Sequence, residues 1–195
     1  MQFLDRYEPD VKTMISRLKG GDAVDVGANI GLYTLMLSRV LGKRGKVLSI
    51  EVDPHYFQLL RRNVDINHGY NVATLNVAAW SHYEDLDLTR HVSGSSPIDT
   101  SVSPAEGVST HRVKGKPLDD LLGEAEIDPE LVKIDVEGAE HQVLLGMRNT
   151  LRSARPTIIF EALTPFALTK CSTLLHRSNY TVRALPDGNF LATPG

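Results

Sequence analysis

Residues 24–34 have the sequence VDVGANIGLYT, and this stretch indicates a strand, a tight turn and the start of a helix. β-Branched residues lead into Gly27, Gly31 follows four positions later, and apolar residues at helical spacing begin at Leu32. Twenty residues beyond Gly31, a second apolar run ends in Glu51. A glycine turn followed at this distance by an acid is typical of a nucleotide-like cofactor whose ribose hydroxyls the acid accepts.

The turn differs from a dinucleotide-binding turn at one position. NAD-binding turns have the pattern G-x-G-x-x-G because the backbone must approach a pyrophosphate closely. Asn29 stands at the place of the middle glycine and carries a side chain where a pyrophosphate needs room. S-adenosylmethionine has no phosphate, so we expect the backbone of the turn to hold its zwitterionic amino-acid tail. Asp25 is expected to face the ammonium of that tail, directly or through water. The expected turn residues are Gly27, Ala28, Asn29 and Gly31.

The rest of the cofactor is expected beside the ends of the next two strands. Glu51 is the predicted partner of the ribose hydroxyls, and Val52, Ala78 and Ala79 are the predicted neighbours of the adenine. The alternatives are structural: a tight turn without ligand, alanines that merely fill a crowded turn, and Asp53 as the cap of a helix that starts at Pro54. The combination of the glycine turn with two fitting acids favours the cofactor.

Strand and helix patterns alternate along the chain, which predicts parallel βαβ units. The turn signal Pro186-Asp187-Gly188 adds an antiparallel hairpin near the C-terminal end. We therefore expect an α/β fold in a single domain over residues 1–195. Its sheet is a Rossmann-like, doubly wound, seven-stranded one, mostly parallel, with helices on both faces. The parallel-type strands are expected at residues 23–26, 47–51, 72–77, 131–135 and 157–161.

The middle of the chain has a different character. Residues 85–89 alternate apolar and polar and predict a half-exposed strand, with a returning strand near Val113. Residues 91–110 are rich in Ser, Pro, Gly and Thr, which indicates a long flexible loop within this inserted hairpin. A short helix is expected at 118–122, and a longer one from about 138 to 151.

Composition excludes several classes of protein. The net charge of -3 gives no electrostatic reason to expect nucleic acid as a partner, and the lone Cys171 indicates neither a disulfide nor zinc. No apolar run approaches the ~20 residues of a membrane helix, and the N-terminal residues lack a secretory pattern. A cytoplasmic protein of undetermined oligomeric state is therefore expected.

The densest polar cluster follows the fourth predicted parallel strand. Asp135 and Glu137 alternate along an extended segment and point roughly the same way, at the edge where open α/β sheets bind ligands. These carboxylates can orient a hydroxyl group or take its proton, and His141 is a further candidate base or else a surface histidine. Glu140 suits the first turn of the next helix. Glu161, at the end of the fifth strand, is expected to join the same edge.

Five of these stretches together resemble the FkbM family. They are DVGANIG at 25–31, Glu51, Asn76-Val77-Ala78, Leu118-Asp119-Asp120-Leu121 and KIDVEGAE at 133–140. The resemblance spans roughly residues 22–193 and implies a class I S-adenosylmethionine-dependent methyltransferase. It also implies that Asp25, Gly27, Asn29, Gly31 and Glu51 hold the cofactor. One departure is Ile50-Glu51-Val52-Asp53-Pro54, where the family often has Phe-Glu-Pro.

The resemblance implies methyl transfer to a hydroxyl oxygen of a small molecule or glycan. Asp135 or Glu137, or His141, would take the hydroxyl proton, and Asp135 would also contact the cofactor. No resident metal is expected, although a magnesium-assisted variant would use Asp135, Glu137 and Glu161. The alternatives from other classes are a non-catalytic S-adenosylmethionine-binding domain and an NAD-dependent oxidoreductase.

Overall fold

The central sheet of the protein has seven strands, in the order β3-β2-β1-β7-β8-β10-β9. We describe it from a computed structural model that covers residues 8–69, 71–91 and 108–195. Five strands are parallel and form one side of the sheet, while β10 runs antiparallel to both of its neighbours. The predicted fold class, with its antiparallel C-terminal hairpin, is confirmed.

The strands of the central sheet have short, β-branched-rich sequences. They are β1 (Asp22–Val26), β2 (Val47–Ile50), β3 (Val72–Leu75), β7 (Pro129–Ile134), β8 (Thr157–Glu161), β9 (Tyr180–Ala184) and β10 (Asn189–Pro194). A second, three-stranded sheet consists of β4 (Ala78–Trp80), β5 (Glu84–His91) and β6 (Val108–Pro117), in the order β4-β6-β5.

Helices cover both faces of the central sheet. They are α1 (Pro9–Ser16), α2 (Leu32–Leu41), α3 (Pro54–Ile66), α4 (Leu118–Ala125), α5 (Glu140–Leu145), α6 (Arg148–Arg152) and α7 (Pro165–Arg177). The buried residues of α1 and α2 pack against one face, and those of α4 to α7 against the other. None of the helices in the described parts of the chain is long and apolar enough to span a membrane.

Alternation along the strands assigns each residue to one of these two faces. Val24 and Val26 of β1 belong to the core beneath α4 to α7, whereas Ala23 belongs to the core beneath α1 and α2. Asp25 lies between the two valines and therefore points toward α1 and α2. It is paired in register with Ser49 of β2 on one side and Lys133 of β7 on the other. A row of polar side chains is thus buried under α2.

The predicted third strand is wrong beyond Leu75. The side chain of Asn76 donates to the carbonyl oxygens of Glu51 and Val52, at 2.7 and 2.9 Å, and the chain then leaves the central sheet. Ala78 begins β4, which pairs with β6 of the smaller sheet. The predicted hairpin is present as β5 and β6, which pair antiparallel from Glu84–Gly115 to His91–Val108. Residues 92–107 of the predicted 91–110 loop lie outside the described residues.

The predicted helix from about 138 to 151 is interrupted near Gly146. A Cβ atom at Gly146 would lie 1.8 Å from the carbonyl oxygen of Trp80, so the backbones of the two segments are in direct contact. A new helix, α6, starts at Arg148, and the carboxylate of Asp119 accepts the amides of Asn149 and Thr150 at 2.8 and 2.9 Å. Asp119 therefore caps a helix other than its own, which explains the acid in the Leu-Asp-Asp-Leu step.

Candidate functional site

A cavity of about 380 Å³ lies at the carboxyl ends of β1, β2 and β7. The turns that follow these three strands form its walls, and β4 and β5 of the smaller sheet close one side. Eight residues predicted to bind the cofactor line this one cavity: Gly27, Ala28, Asn29, Glu51, Val52, Ala78, Ala79 and Asp135. Glu137 lines it as well. The structure therefore brings together most of the residues that the sequence singled out.

The turn after β1 is held by its own amides. The amides of Gly27 and Ala28 both donate to the carbonyl oxygen of Ile50, at 2.9 and 3.0 Å, and that of Gly31 donates to Ala28. Gly27, Asn29 and Gly31 all have positive φ, at 82°, 51° and 94°. Asparagine tolerates this conformation better than most residues, and the Asn29 side chain accepts the amide of Ile30 at 2.8 Å. Because these amides are already donated, the turn cannot provide the N–H cradle that a pyrophosphate requires.

Glu51 is buried with both carboxylate oxygens in use. One oxygen accepts the amide of Asn29 at 2.7 Å, and the other accepts the amide of Asp53 at 2.8 Å. Each oxygen keeps a second lone pair for a ligand hydroxyl. Burial raises the pKa of Glu51 to about 7, in spite of these two hydrogen bonds. Asp53 itself caps α3 by accepting the amides of His55 and Tyr56, as its position before Pro54 indicated.

Apolar side chains cover the part of the cavity beside Glu51. Ala78 and Ala79 are buried at its wall, which the side chains of Ile50, Val77 and Leu88 also line. Tyr56, on the first turn of α3, contributes an aromatic ring to the lining. A flat, uncharged heterocycle fits such a wall. Leu88 and Tyr56 carried no recognisable signal in the sequence, because they reach the cavity only through the packing of β5 and α3.

The opposite part of the cavity carries carboxyl groups. Asp135 follows directly after β7, and its amide donates to the carbonyl oxygen of Val26 at 2.9 Å. Burial, followed by the charges of Asp135 and Glu140, raises the pKa of Glu137. Glu161 does not line the cavity, but its carboxyl group interacts with that of Asp135. Burial and the charge of Asp135 raise the pKa of Glu161 to about 7. Three neighbouring carboxyl groups therefore share this edge.

Glu140 supports the turn that presents Asp135 and Glu137. Its carboxylate is fully buried and accepts the amide of Gly138 at 2.9 Å and that of Val136 at 3.3 Å. Glu137 has a φ of 54° and Gly138 a φ of 105°, so the turn depends on this support. Within residues 8–69, 71–91 and 108–195, no three His, Cys, Asp or Glu side chains are grouped to hold a metal ion. The magnesium-assisted variant has no support in the geometry.

Three predicted site residues lie elsewhere. Gly31 begins α2 beyond the cavity wall, and a Cβ atom there would lie 2.8 Å from the side chain of Leu60. His141 lines a different groove, between α5–α6 and α7, because the first turn of α5 directs it away from the cavity. Asp25 lies beneath the cavity, since strand alternation turns it toward α2, where the hydroxyl of Thr34 donates to it at 2.7 Å. The structure thus places these three residues outside the cavity lining, and their roles toward the ligand stay predictions.

Lys133 is the main site residue that the sequence patterns did not indicate. Its side chain is only 2% exposed, its ammonium donates to Asp135 at 2.9 Å, and it lies 4.5 Å from the ring centre of Tyr33. Burial disfavours the charged lysine, but the carboxylates of Asp135 and Asp25 outweigh burial and raise the pKa of Lys133. Burial also raises the pKa of Asp25, although Lys133 and Thr34 oppose it. A lysine between Val132 and Ile134, inside an otherwise apolar strand, was the available signal.

The buried lysine belongs to a longer polar chain. The hydroxyl of Tyr33 donates to the carboxylate of Glu8, which also accepts the side-chain amide of Asn189 at 3.1 Å. Glu8 precedes α1 and Asn189 begins β10, so segments distant in sequence meet behind Lys133. The ammonium beside Asp135 thus contacts Tyr33, which also lines the cavity, and Glu8 and Asn189 lie behind Tyr33 outside the lining.

Comparison with known proteins identifies the family. The model of the methyltransferase FkbM domain matches residues 25–179, most of the chain. The chain belongs to the FkbM methyltransferase family. Hexuronic acid methyltransferase AglP of Haloferax volcanii is 30% identical over 161 residues, which cover 79% of this chain and 62% of that protein. The chain thus spans about six-tenths of the length of this curated relative.

Solved structures support the same fold for this FkbM chain. Methyltransferase FkbM from Methylobacillus flagellatus superposes with a TM-score of 0.65 at 22% identity, over 95% of this chain and 50% of that one. A SAM-dependent methyltransferase from Aquifex aeolicus superposes with a TM-score of 0.54 at 14% identity, over 97% of this chain and 89% of that one. At these identities the likeness establishes the class I methyltransferase fold. The predicted family and fold are confirmed.

Proposed function

We propose that this FkbM chain is an S-adenosylmethionine-dependent methyltransferase that transfers the methyl group to a hydroxyl oxygen of a sugar. One observation carries the proposal: a single cavity has a buried ribose-type acid, Glu51, on one side and the carboxyl groups of Asp135 and Glu137 on the other. Cofactor and acceptor would meet between these two sides.

The residues around the cavity fit S-adenosylmethionine. The free lone pairs of Glu51 suit two ribose hydroxyls, and the apolar wall with Ala78 and Ala79 suits an adenine. The cofactor carries a net positive charge, and acidic side chains outnumber the cation Lys133 along the cavity lining. The internal hydrogen bonds of the turn at 27–31 disfavour a pyrophosphate and therefore NAD. We also propose that residues 1–195 form one domain, which contains this whole site.

The bound cofactor supplies a methyl group that its cationic sulfur has already activated. What remains for the protein is to align the acceptor oxygen, to exclude water and to receive a proton. Glu51 and the apolar wall would hold the cofactor, which would supply the methyl group to the acceptor oxygen and keep the electron pair of its carbon–sulfur bond. The hydroxyl proton passes to Asp135 or Glu137. A raised pKa suits Glu137 to this task near neutral pH.

A sugar is the acceptor class that one curated relative favours. The curated relative from Haloferax volcanii is named as a hexuronic acid methyltransferase, and the chain covers 79% of its own length in that match. Sugars offer several hydroxyl groups that carboxylates can orient. We therefore propose a hexuronic acid or a similar acidic sugar as the acceptor.

Amide replacements of the two acids test the chemistry. We expect Asp135→Asn and Glu137→Gln to lower kcat, the one that takes the proton by about 100-fold, because an amide cannot accept a proton. S-adenosylhomocysteine formation from the purified chain with an acidic sugar measures the rate, and calorimetry measures cofactor affinity. The exposed Asp87→Asn serves as a control and should leave kcat unchanged.

Two outcomes would contradict this proposal. If both Asp135→Asn and Glu137→Gln keep full turnover, neither acid is the base. If the native chain binds the cofactor but never forms product, the chain is a binding domain.

The pKa of Glu51 predicts the pH dependence of cofactor binding. Ribose hydroxyls donate to the ionised carboxylate, so the affinity should rise as the pH increases through about 7 and then level off. For a group with this pKa the increase between pH 6 and pH 8 is about tenfold. Titration of S-adenosylhomocysteine by calorimetry at several pH values measures it. Glu51→Gln should bind weakly with little pH dependence, whereas Glu161→Gln should keep the rise. The same rise in Glu51→Gln would exclude Glu51 as its source.

A further inference from the structure

The basic residues of this chain are unevenly distributed. Residues 141–186 contain six Lys or Arg and a single acid, Glu161, which leaves 15 basic and 23 acidic residues for the rest of the chain. This segment forms α6 and α7 and most of α5, together with β8 and β9. A marked charge asymmetry of this kind indicates a surface that meets anions.

The asymmetry is concentrated in a groove between α5–α6 and α7. The groove measures about 570 Å³, and no acidic side chain of the described residues lines it. Its basic residues are Arg148 and Arg152 of α6, Lys170 and Arg177 of α7, and His141 at the start of α5. Leu145 and Leu174 form an apolar part of the lining.

The cations of this groove differ from those of the hairpin in having no carboxylate partner among the described residues. On the hairpin, Arg112 and Lys114 lie beside the carboxylates of Asp87 and Asp85. Within residues 8–69, 71–91 and 108–195, no ion pair involves the four Lys and Arg residues of the groove. Lys170 lies 4.3 Å from the ring centre of Phe166, a contact that leaves its charge unneutralised, so the positive charges stay available to a ligand.

His141 reports on this electropositive environment. Burial, followed by the charges of Lys170 and Arg148, lowers its pKa. Its position also connects the groove to the cavity, because α5 begins directly after the turn with Glu137 and Ala139, which line the cavity. Neighbouring segments of the chain therefore line the cavity and the groove.

We propose that the groove is a second binding site, which holds the carboxylate groups of an acidic oligosaccharide beside the unit that is methylated. Arginine side chains bind carboxylates through two parallel hydrogen bonds, and three of the four Lys and Arg residues of the groove are arginines: Arg148, Arg152 and Arg177. The apolar floor suits the carbon face of a sugar ring. The inference rests on the proposed function for its choice of ligand, but binding at the groove is measurable without turnover.

Tetragalacturonate tests the groove, with neutral maltotetraose as the matched sugar. NMR follows the His141 ring signal, which His141→Asn identifies by its loss. We expect tetragalacturonate, and not maltotetraose, to raise the pKa of His141, because an anion beside the imidazole favours its charged form. We expect Arg148→Glu and Lys170→Glu each to weaken binding by about tenfold or more, since each loses a charge-assisted contact. Arg183→Glu, an exposed control on β9 outside the groove, should bind as the native chain does.

The outcomes distinguish a failure of the groove proposal from a failure of the proposed function. Equal binding of tetragalacturonate by the groove variants and the native chain would overturn the inference. The inference would also fail if inorganic sulfate raised the pKa of His141 as strongly as tetragalacturonate at the same concentration. Cofactor affinity of the same variants, measured by calorimetry, should be unchanged because the groove lies outside the cavity. If the native chain methylates the oligosaccharide while Arg148→Glu and Lys170→Glu leave KM unchanged, the groove proposal fails and the proposed function stands.

Discussion

Replacement of Gly27 by alanine is expected to lower the affinity for S-adenosylhomocysteine by at least about 100-fold and to destabilise the fold by about 2–5 kcal/mol. Gly27 has a φ of 82°, and a Cβ atom there would lie 1.7 Å from the backbone oxygen of Asp135. That oxygen cannot swing aside as a side chain would, because the Asp135 amide is bonded to Val26 in the adjacent strand. The turn would have to separate from β7, which displaces both sides of the cavity. Urea unfolding and calorimetric titration measure the two effects.

Gly123→Ala is the matched control for this substitution. Gly123 lies inside α4, no heavy atom lies within 4 Å of an added Cβ atom, and its φ is ordinary. Alanine favours a helix by about 1 kcal/mol over glycine, so this variant should be as stable as the native chain or more so. Binding by Gly27→Ala within threefold of the native value would show that the turn adapts and that the close approach to Asp135 is unimportant.

Lys133→Met is expected to lower the free energy of unfolding by about 3–5 kcal/mol, because it leaves buried carboxylates without their cation. Asp135 loses its hydrogen-bonded partner and Asp25 the positive charge that offsets its burial. Methionine has a similar length and fills the space beside Tyr33, so the loss reports on charge more than on packing. Urea unfolding at pH 7 measures it.

Two further variants separate charge from general damage. Lys114→Met removes an exposed lysine that is paired with Asp85 and should cost at most about 1 kcal/mol. Adding Asp135→Asn to Lys133→Met should restore part of the lost stability, because it removes one of the uncompensated charges. A double variant that is less stable than Lys133→Met alone would contradict the role of Lys133 as the neutralising cation.

Local patterns in the sequence were sufficient for much of the fold. The strand–helix alternation, the C-terminal turn at Pro186-Asp187-Gly188 and the cap at Asp53 all appear where the sequence indicated. Each depends on residues within a few positions of one another, so propensity and turn chemistry determine them. The ends of elements were less predictable: Gly146 interrupts a helix because it touches Trp80, which is far away in the sequence.

The residues of the candidate site also differ in how well the sequence predicted their positions. The acids Glu51, Asp135 and Glu137 follow parallel strands, and the topology of an α/β sheet brings such ends to one edge. To predict the direction of a side chain at that edge, the alternation along the strand must also be considered. Asp25 precedes the turn, and its alternation with Val24 and Val26 sends it under α2, a consequence that the strand period of two already implied.

From the amino-acid sequence, the family follows by resemblance, whereas the alternation of strands and helices and the acids at the carboxyl ends of the strands follow from local spacing. The tertiary structure adds that Lys133 faces Asp25 across the sheet, and that His141 and Lys170 line a separate groove. These relations come from the register between β1 and β7 and from the packing of α5 against α7. Non-local contacts set both, and no spacing along the chain encodes them directly.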